Sequence, residues 1–304
     1  NHWMFISSTG GLSAGRKDSD SALFPYYTDD KITDSFETTG SKSIFLVEKN
    51  SQTFLWEPFS LRQISLYKIS RNLYKNAFGN KVIFEEINHD LEIRFTYEWN
   101  STDRYGFVRK SMLSNTASST VKVQFIDGIQ NVLPFGVEEA LQNSTSNLVD
   151  AYKRTELIEG SSLAVFALSA IIVDRAEPSE ALKATTVWSS GLDKPTFLLS
   201  SFQLEAFRRD QAVHEEWENK GEKGAYFMVD KLTLNAEESK EWFIVADVNQ
   251  SMIGISALID TMKKGDVVAE VLEDVGLGTD NLIQLCAAAD GLQLTQDKRT
   301  IMRH

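Results

Sequence analysis

Cysteine and histidine are scarce in this chain. There is one cysteine and four histidines among 304 residues. One cysteine excludes an internal disulfide. Cys286 stands between Leu285 and Ala287, where it reads as a small buried hydrophobe. No histidine or cation lies beside it in sequence to lower its pKa. Two of the histidines, His2 and His304, lie near the ends, which leaves little for a His-based metal site. The stretch HEEWE (214–218) resembles the start of a zinc helix, but the position of the second ligand is Glu218. Positive charge is also short. Lys plus Arg number 31 against 43 Asp plus Glu, for a net charge of −12. With no basic run to meet phosphates, a nucleic-acid partner is excluded. No apolar stretch reaches the roughly 18 residues of a membrane span. The longest, LAVFALSAIIV (163–173), is interrupted by Ser169 and is strand-like. The serine-hydrolase elbow, the Walker loop and the dinucleotide fingerprint are missing. GLGTDN (276–281) follows a helix rather than a strand, so no cofactor is expected.

What is present is a long series of short strands. LEIRFTYEWN (91–100) alternates, with Leu91, Ile93, Phe95 and Tyr97 on one face and Glu92, Arg94, Thr96 and Glu98 on the other. That is the pattern of a half-buried antiparallel strand. HWMFISS (2–8), SIFLVE (43–48), TFLWEPF (53–59), QISLYKISRNLYKN (63–76), KVIFEEIN (81–88), YGFVRKSMLSN (105–115) and STVKVQFIDG (119–128) keep the rhythm. Turn residues separate them at 79–80, 88–90 and 100–103. Residues 129–160 suit a broken helix. Strands resume at 162–174, 181–190, 196–207, 224–234 and 241–248. More than a dozen strands without βαβ alternation predict a mainly β, antiparallel sandwich.

The pattern changes at Asn249. SMIGISALIDTMKKG places Met252, Ile255, Ile259 and Met262 on one helical face, with Gly265 closing it. DVVAEVLEDVG predicts a second helix capped by Asp266 and stopped at Gly276. TDNLIQLCAAADG predicts a third, and TQDKRTIMRH the start of a fourth. The expected organisation is a β domain over 1–248 and a helical linker over 249–304. The chain begins with Asn and ends without a helix stop, so it is expected to be a piece of a longer polypeptide. Its compartment, cytoplasmic or periplasmic, is left open. Asn100-Ser-Thr and Asn143-Ser-Thr match the glycosylation sequon, a triplet common by chance.

Between the first two expected strands lies TGGLSAGRKDSDSALFPYYTDDKITDS (9–35), a long polar segment without apolar periodicity. It reads as a loop. Its acids do not have the spacing of a calcium loop, and no metal is expected. Loops of this length are functional or disordered, and Pro25, Tyr26 and Tyr27 favour an ordered one. Arg16, Tyr26, Tyr27, Asp29 and Asp30 combine stacking and hydrogen-bonding groups of the kind that hold a sugar. Trp3, Trp56, Trp99, Arg104 and Trp188 extend the same chemistry, although each tryptophan equally suits sheet packing.

The segments SAGRKDSDSALFPYYTDDKI (13–32), NVLPFG (131–136), SEALKATTVW (179–188), FQLEAFRRD (202–210), GAYF (224–227) and ADGLQLTQDKRTIMRH (289–304) are spread over the chain. In their order, the chain resembles the N-terminal region of bacterial proteins related to cellobiose phosphorylase and the cyclic glucan synthase phosphorylase module. The resemblance implies an antiparallel β-supersandwich like that of galactose mutarotase, joined by a helical linker to an (α/α)6 barrel that carries the catalytic acid. It implies an oligosaccharide or glucoside as ligand, the barrel as partner and a supporting role in a homodimer, with no catalytic residue in this chain. The segment at 9–35 would then reach towards the sugar. A stand-alone carbohydrate-binding or assembly module is the alternative. A mutarotase-like epimerase would need a histidine paired with a glutamate. The interior histidines, His89 and His214, stand in hydrophilic stretches that speak against it.

Overall fold

A computed structural model describes residues 2–170, 182–265 and 267–289. In chain order the strands are β1 (His2–Ile6), β2 (Leu12–Arg16), β3 (Ala22–Phe24), β4 (Gly40–Lys49), β5 (Gln52–Trp56), β6 (Ile69–Lys75), β7 (Val82–Asn88), β8 (Ile93–Thr102) and β9 (Gly106–Asn115). They continue as β10 (Val121–Val132), β11 (Lys153–Leu157), β12 (Ala164–Leu168), β13 (Lys183–Ser190), β14 (Thr196–Leu198), β15 (Glu218–Lys220), β16 (Gly224–Leu234) and β17 (Ser239–Ser251). The helices are α1 (Asp29–Asp34), α2 (Glu139–Ser144), α3 (Ser146–Asp150), α4 (Leu204–Arg208), α5 (Met252–Lys264) and α6 (Val267–Ala288).

All the strand pairs are antiparallel. A nine-stranded sheet runs β15-β11-β12-β13-β17-β9-β8-β7-β6 and a five-stranded sheet runs β14-β16-β10-β4-β5. The sequence explains why both are covered on both faces. In β17, Trp242, Ile244, Ala246 and Val248 enter the central core, while Phe243 and Val245 face a second cluster with Ile255, Val267 and Val271 of α5 and α6. In β4, Phe45 and Val47 face the centre, while Ile44 and Leu46 meet Leu204 and Phe207 of α4. The two-residue side-chain period thus feeds alternate layers. β8 follows its expected alternation, with Ile93, Phe95, Tyr97 and Trp99 at most 3% exposed.

Three expectations are corrected. The segment at 9–35 is not an irregular loop. β2 and β3 join β1 in a small sheet, and α1 follows. Glycine hid the strand. A Cβ on Gly11 would lie 2.1 Å from the Ile32 carbonyl oxygen, and one on Gly15 2.5 Å from the Trp3 ring, so these positions need the absent side chain rather than a turn. Residues 196–207 are not one strand. β14 stops at Leu198, and Leu204 and Phe207, three apart, reach the core from α4. Gly276 does not end a helix. α6 runs unbroken through Gly276 and Gly278, neither of which has positive φ, at a propensity cost of about 1 kcal/mol each. Part of the apolar run (171–173), the Asp266 cap and the fourth helix lie outside the described residues.

At the centre of the sandwich Asp127 and Arg109 are both fully buried. Removing one partner of such a pair leaves an uncompensated charge. Asp127→Ala should therefore lower the unfolding free energy in urea by about 3–5 kcal/mol. The double variant with Arg109→Met should recover part of that loss.

Candidate functional site

The five residues singled out between 9 and 35 fall in two places. Arg16 ends β2. Its Nη1 donates to Asp247 Oδ1 at 2.9 Å and Oδ2 at 3.1 Å, and its Nη2 to the Asp103 carbonyl at 3.1 Å. It is a clasp between the N-terminal sheet and the end of β17. The other four surround α1. Tyr26 is 37% exposed and packs edge-on against Trp3 and Phe5, with centroids 5.2 and 6.1 Å away. Tyr27 is half-buried under the Lys31 ammonium, 5.6 Å from its ring centroid. Burial pushes its phenol up, against a bond with Asn131 that pulls it down. Asp29 and Asp30 are exposed in the first turn of α1.

Of the tryptophans, Trp56, Trp99 and Trp188 are strand residues at most 2% exposed. Packing claims most of their surface. Trp188 nevertheless borders a cleft of about 150 Å³ at the end of the large sheet. The strand side presents Arg104, Tyr105, Thr186, Trp188, Asp247 and Gln250. Opposite stand Gly254, Ala257, Leu258 and Thr261, whose spacing is one face of α5. Ser251 caps that helix by accepting from the Gly254 N–H at 3.2 Å. Gly106, at φ +83°, makes room for the aspartate, since a Cβ there would lie 2.6 Å from Asp247 Oδ1. Arg104 and Tyr105 both bond Glu270 Oε2 of α6, at 3.0 and 2.8 Å. Burial and that carboxylate push the Tyr105 phenol up to about 12. Arg104 and Trp188 carried a sequence signal. Asp247 and Gln250 did not, beyond the polar DVNQ that ends the apolar run of β17.

The carboxylates were followed for acid–base work. In the cleft, Asp247 Oδ1 accepts from Arg16 and the Val248 N–H, and Oδ2 from Arg16 and Gln250 at 2.7 Å. Both oxygens are fully engaged. Burial pushes this carboxyl up, and Arg16 opposes it. Glu37 and Glu57 share the Lys42 ammonium. Arg208 also binds Glu57, through Nε at 2.9 Å and Nη2 at 2.8 Å. Burial alone would raise both carboxyls, but the cations reverse it and hold both below the usual glutamate value. Neither glutamate therefore carries a proton at neutral pH. The cavity beside Glu37 and Lys42 measures about 20 Å³, enough for one water. His89 bonds Ser70 at 2.8 Å and His214 is exposed. Asn100, the first sequon asparagine, is 6% exposed and bonds Glu98.

No family model matches the chain, and no curated protein matches it. Similar solved structures exist. A bacterial glucoamylase complexed with acarbose is 10% identical, with a TM-score of 0.50 over 94% of this chain and 35% of that one. A candidate kojibiose phosphorylase from the human microbiome is 8% identical, with a TM-score of 0.43 over 90% and 30%. A galactose mutarotase-like protein from Lactobacillus casei ATCC 334 is 11% identical, with a TM-score of 0.38 over 81% and 100%. The chain spans about a third of the length of the first two. At these identities the likeness is one of fold. The fold is a mainly β, antiparallel sandwich followed by helices.

The state of Glu57 gives a pH test. Its folded pKa lies below the unfolded one, so its contribution is present above the ordinary glutamate value and is lost as pH falls through the folded one. Glu57→Gln should cost about 3 kcal/mol at pH 7. Its stability should then fall less steeply than wild type as pH drops below about 4.5, measured by thermal melts at each pH.

Proposed function

We propose that this chain is the non-catalytic β domain, with its helical linker, of a larger carbohydrate-active enzyme, a glycoside phosphorylase or hydrolase. The β domain spans 1–248 and the linker 249–304. The domain packs on the catalytic barrel and helps shape the sugar cleft. One observation carries the reading. Among the described residues, three carboxylates near the clefts, the buried Asp247 and Glu57 and the half-buried Glu37, are each held by a cation. A carboxylate held in this way is ill placed to be the protonated acid of the carboxyl pair that most glycosidases use. The fold supports the same reading, because a sandwich of this kind makes up 35% of a glucoamylase.

The polar surface around α1 is the part of the domain that reaches the sugar. Asp29 and Asp30 are exposed and unspent by the fold, and Tyr27 stands beside them.

Two experiments test this. The purified chain should show no turnover of aryl glucosides, or of cellobiose with phosphate. A rate that survives purification and disappears on mutating one acid of this chain overturns the proposal. In the longer enzyme, Asp30→Ala or Tyr27→Ala should lower kcat/KM at least about tenfold, roughly 1.4 kcal/mol, without a change in Tm. Wild-type kinetics in both variants would remove the α1 surface from the site.

A further inference from the structure

A groove of about 440 Å³ runs between the N-terminal sheet and the β6–β7 hairpin, on the side away from Asp247's cleft. That volume lies within the range of about 300–1,000 Å³ that small-molecule sites occupy. β1 supplies one wall through His2, Met4 and Ile6, the alternate residues of one strand face. Trp99 and Phe107, at 2% and 1% exposure, lie beneath. Trp3 and Phe78 are half-buried at the rim. Leu282 of α6 stands at one end, where Asn80 bonds Thr279 at 3.0 Å.

Three features of the lining point to one kind of ligand. Aromatic rings are available at the rim, and Lys75, Lys81, Asn80 and Asn100 surround them with hydrogen-bonding groups. Among the described residues no aspartate or glutamate lines the groove, so it is not built for a cation. Two nitrogens on its walls, Trp99 Nε1 and His2 Nε2, are buried without a protein partner, although buried polar groups are normally bonded. Burial pushes the His2 imidazole down to about 4, and the Arg16 charge adds to it. The imidazole is therefore uncharged at neutral pH and can bond a hydroxyl without bringing a charge into the groove.

We propose that this groove binds a single pyranose ring, neutral or carrying an acidic substituent, with the apolar ring face against Phe78 and the hydroxyls towards Asn80, Asn100 and the indole N–H of Trp99. The choice of a sugar rests on the domain reading above; the groove, its missing acids and its unpartnered nitrogens do not. The site binds and does no chemistry, since it lacks a carboxylate. It lies apart from the α1 surface and reports on α6, whose Leu282 helps close it.

The test is a titration of the full chain followed by its indole and backbone N–H resonances. The probes are methyl α-glucopyranoside, methyl β-glucopyranoside, cellobiose and glucuronate. A saturable shift of the Trp99 indole with at least one of them is expected. The two glucosides against glucuronate separate a neutral from an acidic ring. Phe78→Ala, on an open turn, should weaken binding about fivefold. Leu282→Trp, which narrows the groove from the helix side, should abolish it, with unchanged melting temperature as the control. Asp30→Ala should leave it intact. No saturable shift with any probe up to about 100 mM overturns the inference, and so does binding that both groove variants leave unchanged. Sugar shifts confined to Tyr26, Tyr27 and α1 remove the groove and leave the domain reading standing. Glucoside turnover by the chain does the reverse.

Discussion

The carboxylate of Asp127 joins the two large sheets of this protein. It sits on β10, in the middle of the five-stranded sheet, and is fully buried. It accepts from Arg109 Nη1 at 2.7 Å and Nη2 at 3.0 Å, from Ser111 at 3.0 Å and from Trp242 Nε1 at 2.6 Å. All three of those donors belong to β9 and β17 of the nine-stranded sheet. Ser43 of the neighbouring β4 donates at 2.6 Å. The Arg109 guanidinium lies 4.6 Å from the Tyr97 ring centroid, so its remaining surface meets a π face instead of water. A buried ion pair is weak evidence for net stability. Here its value is register. It accepts one alignment of β9, β10 and β17, and the apolar alternation of each strand is consistent with that alignment alone.

Function follows from what this centre leaves to the ends of the sandwich. The interior is committed to Phe45, Phe95, Phe125 and Trp242, whose rings pack on one another between the sheets. The surfaces free to meet a ligand are therefore at the strand ends and on the N-terminal sheet, where β2, β17, α5 and α6 converge. There Arg16 holds Asp247 and Arg104 holds Glu270. A side chain held this way positions its neighbours well and transfers protons poorly. That combination is what the proposed supporting role asks of the domain.

Much of the architecture could be read from the sequence where the two-residue period was clean. β8 is an example, as is the change from strands to helices near residue 250. The failures have physical causes. Gly11 and Gly15 broke the apolar rhythm of the N-terminal sheet because close packing against Ile32 and Trp3 leaves no room for a Cβ. Gly276 suggested a stop that the tertiary context overrides, since Val267 and Val271 anchor the same helix on the large sheet. The candidate site was less legible. Arg16 was visible as a charge in a polar stretch, but its partner Asp247 lies 231 positions away. No local pattern connects two such residues. The tryptophans illustrate the opposite problem, because the same side chain serves a sugar site or a core. Burial decided for the core in Trp56 and Trp188, and the Trp99 nitrogen is buried without a partner.

If the Asp127 cluster is what holds the sheets in register, the strands around it should open only when the whole domain opens. Native-state hydrogen exchange measures this directly. The account predicts that the amides of Arg109, Ser111, Asp127 and Trp242 exchange with one common free energy, equal to that of global unfolding in urea. The edge strand β6 and helix α1 should exchange at much lower free energies. Exchange of the β9, β10 and β17 amides through separate, smaller openings, with the two sheets parting while the rest stays folded, would contradict it.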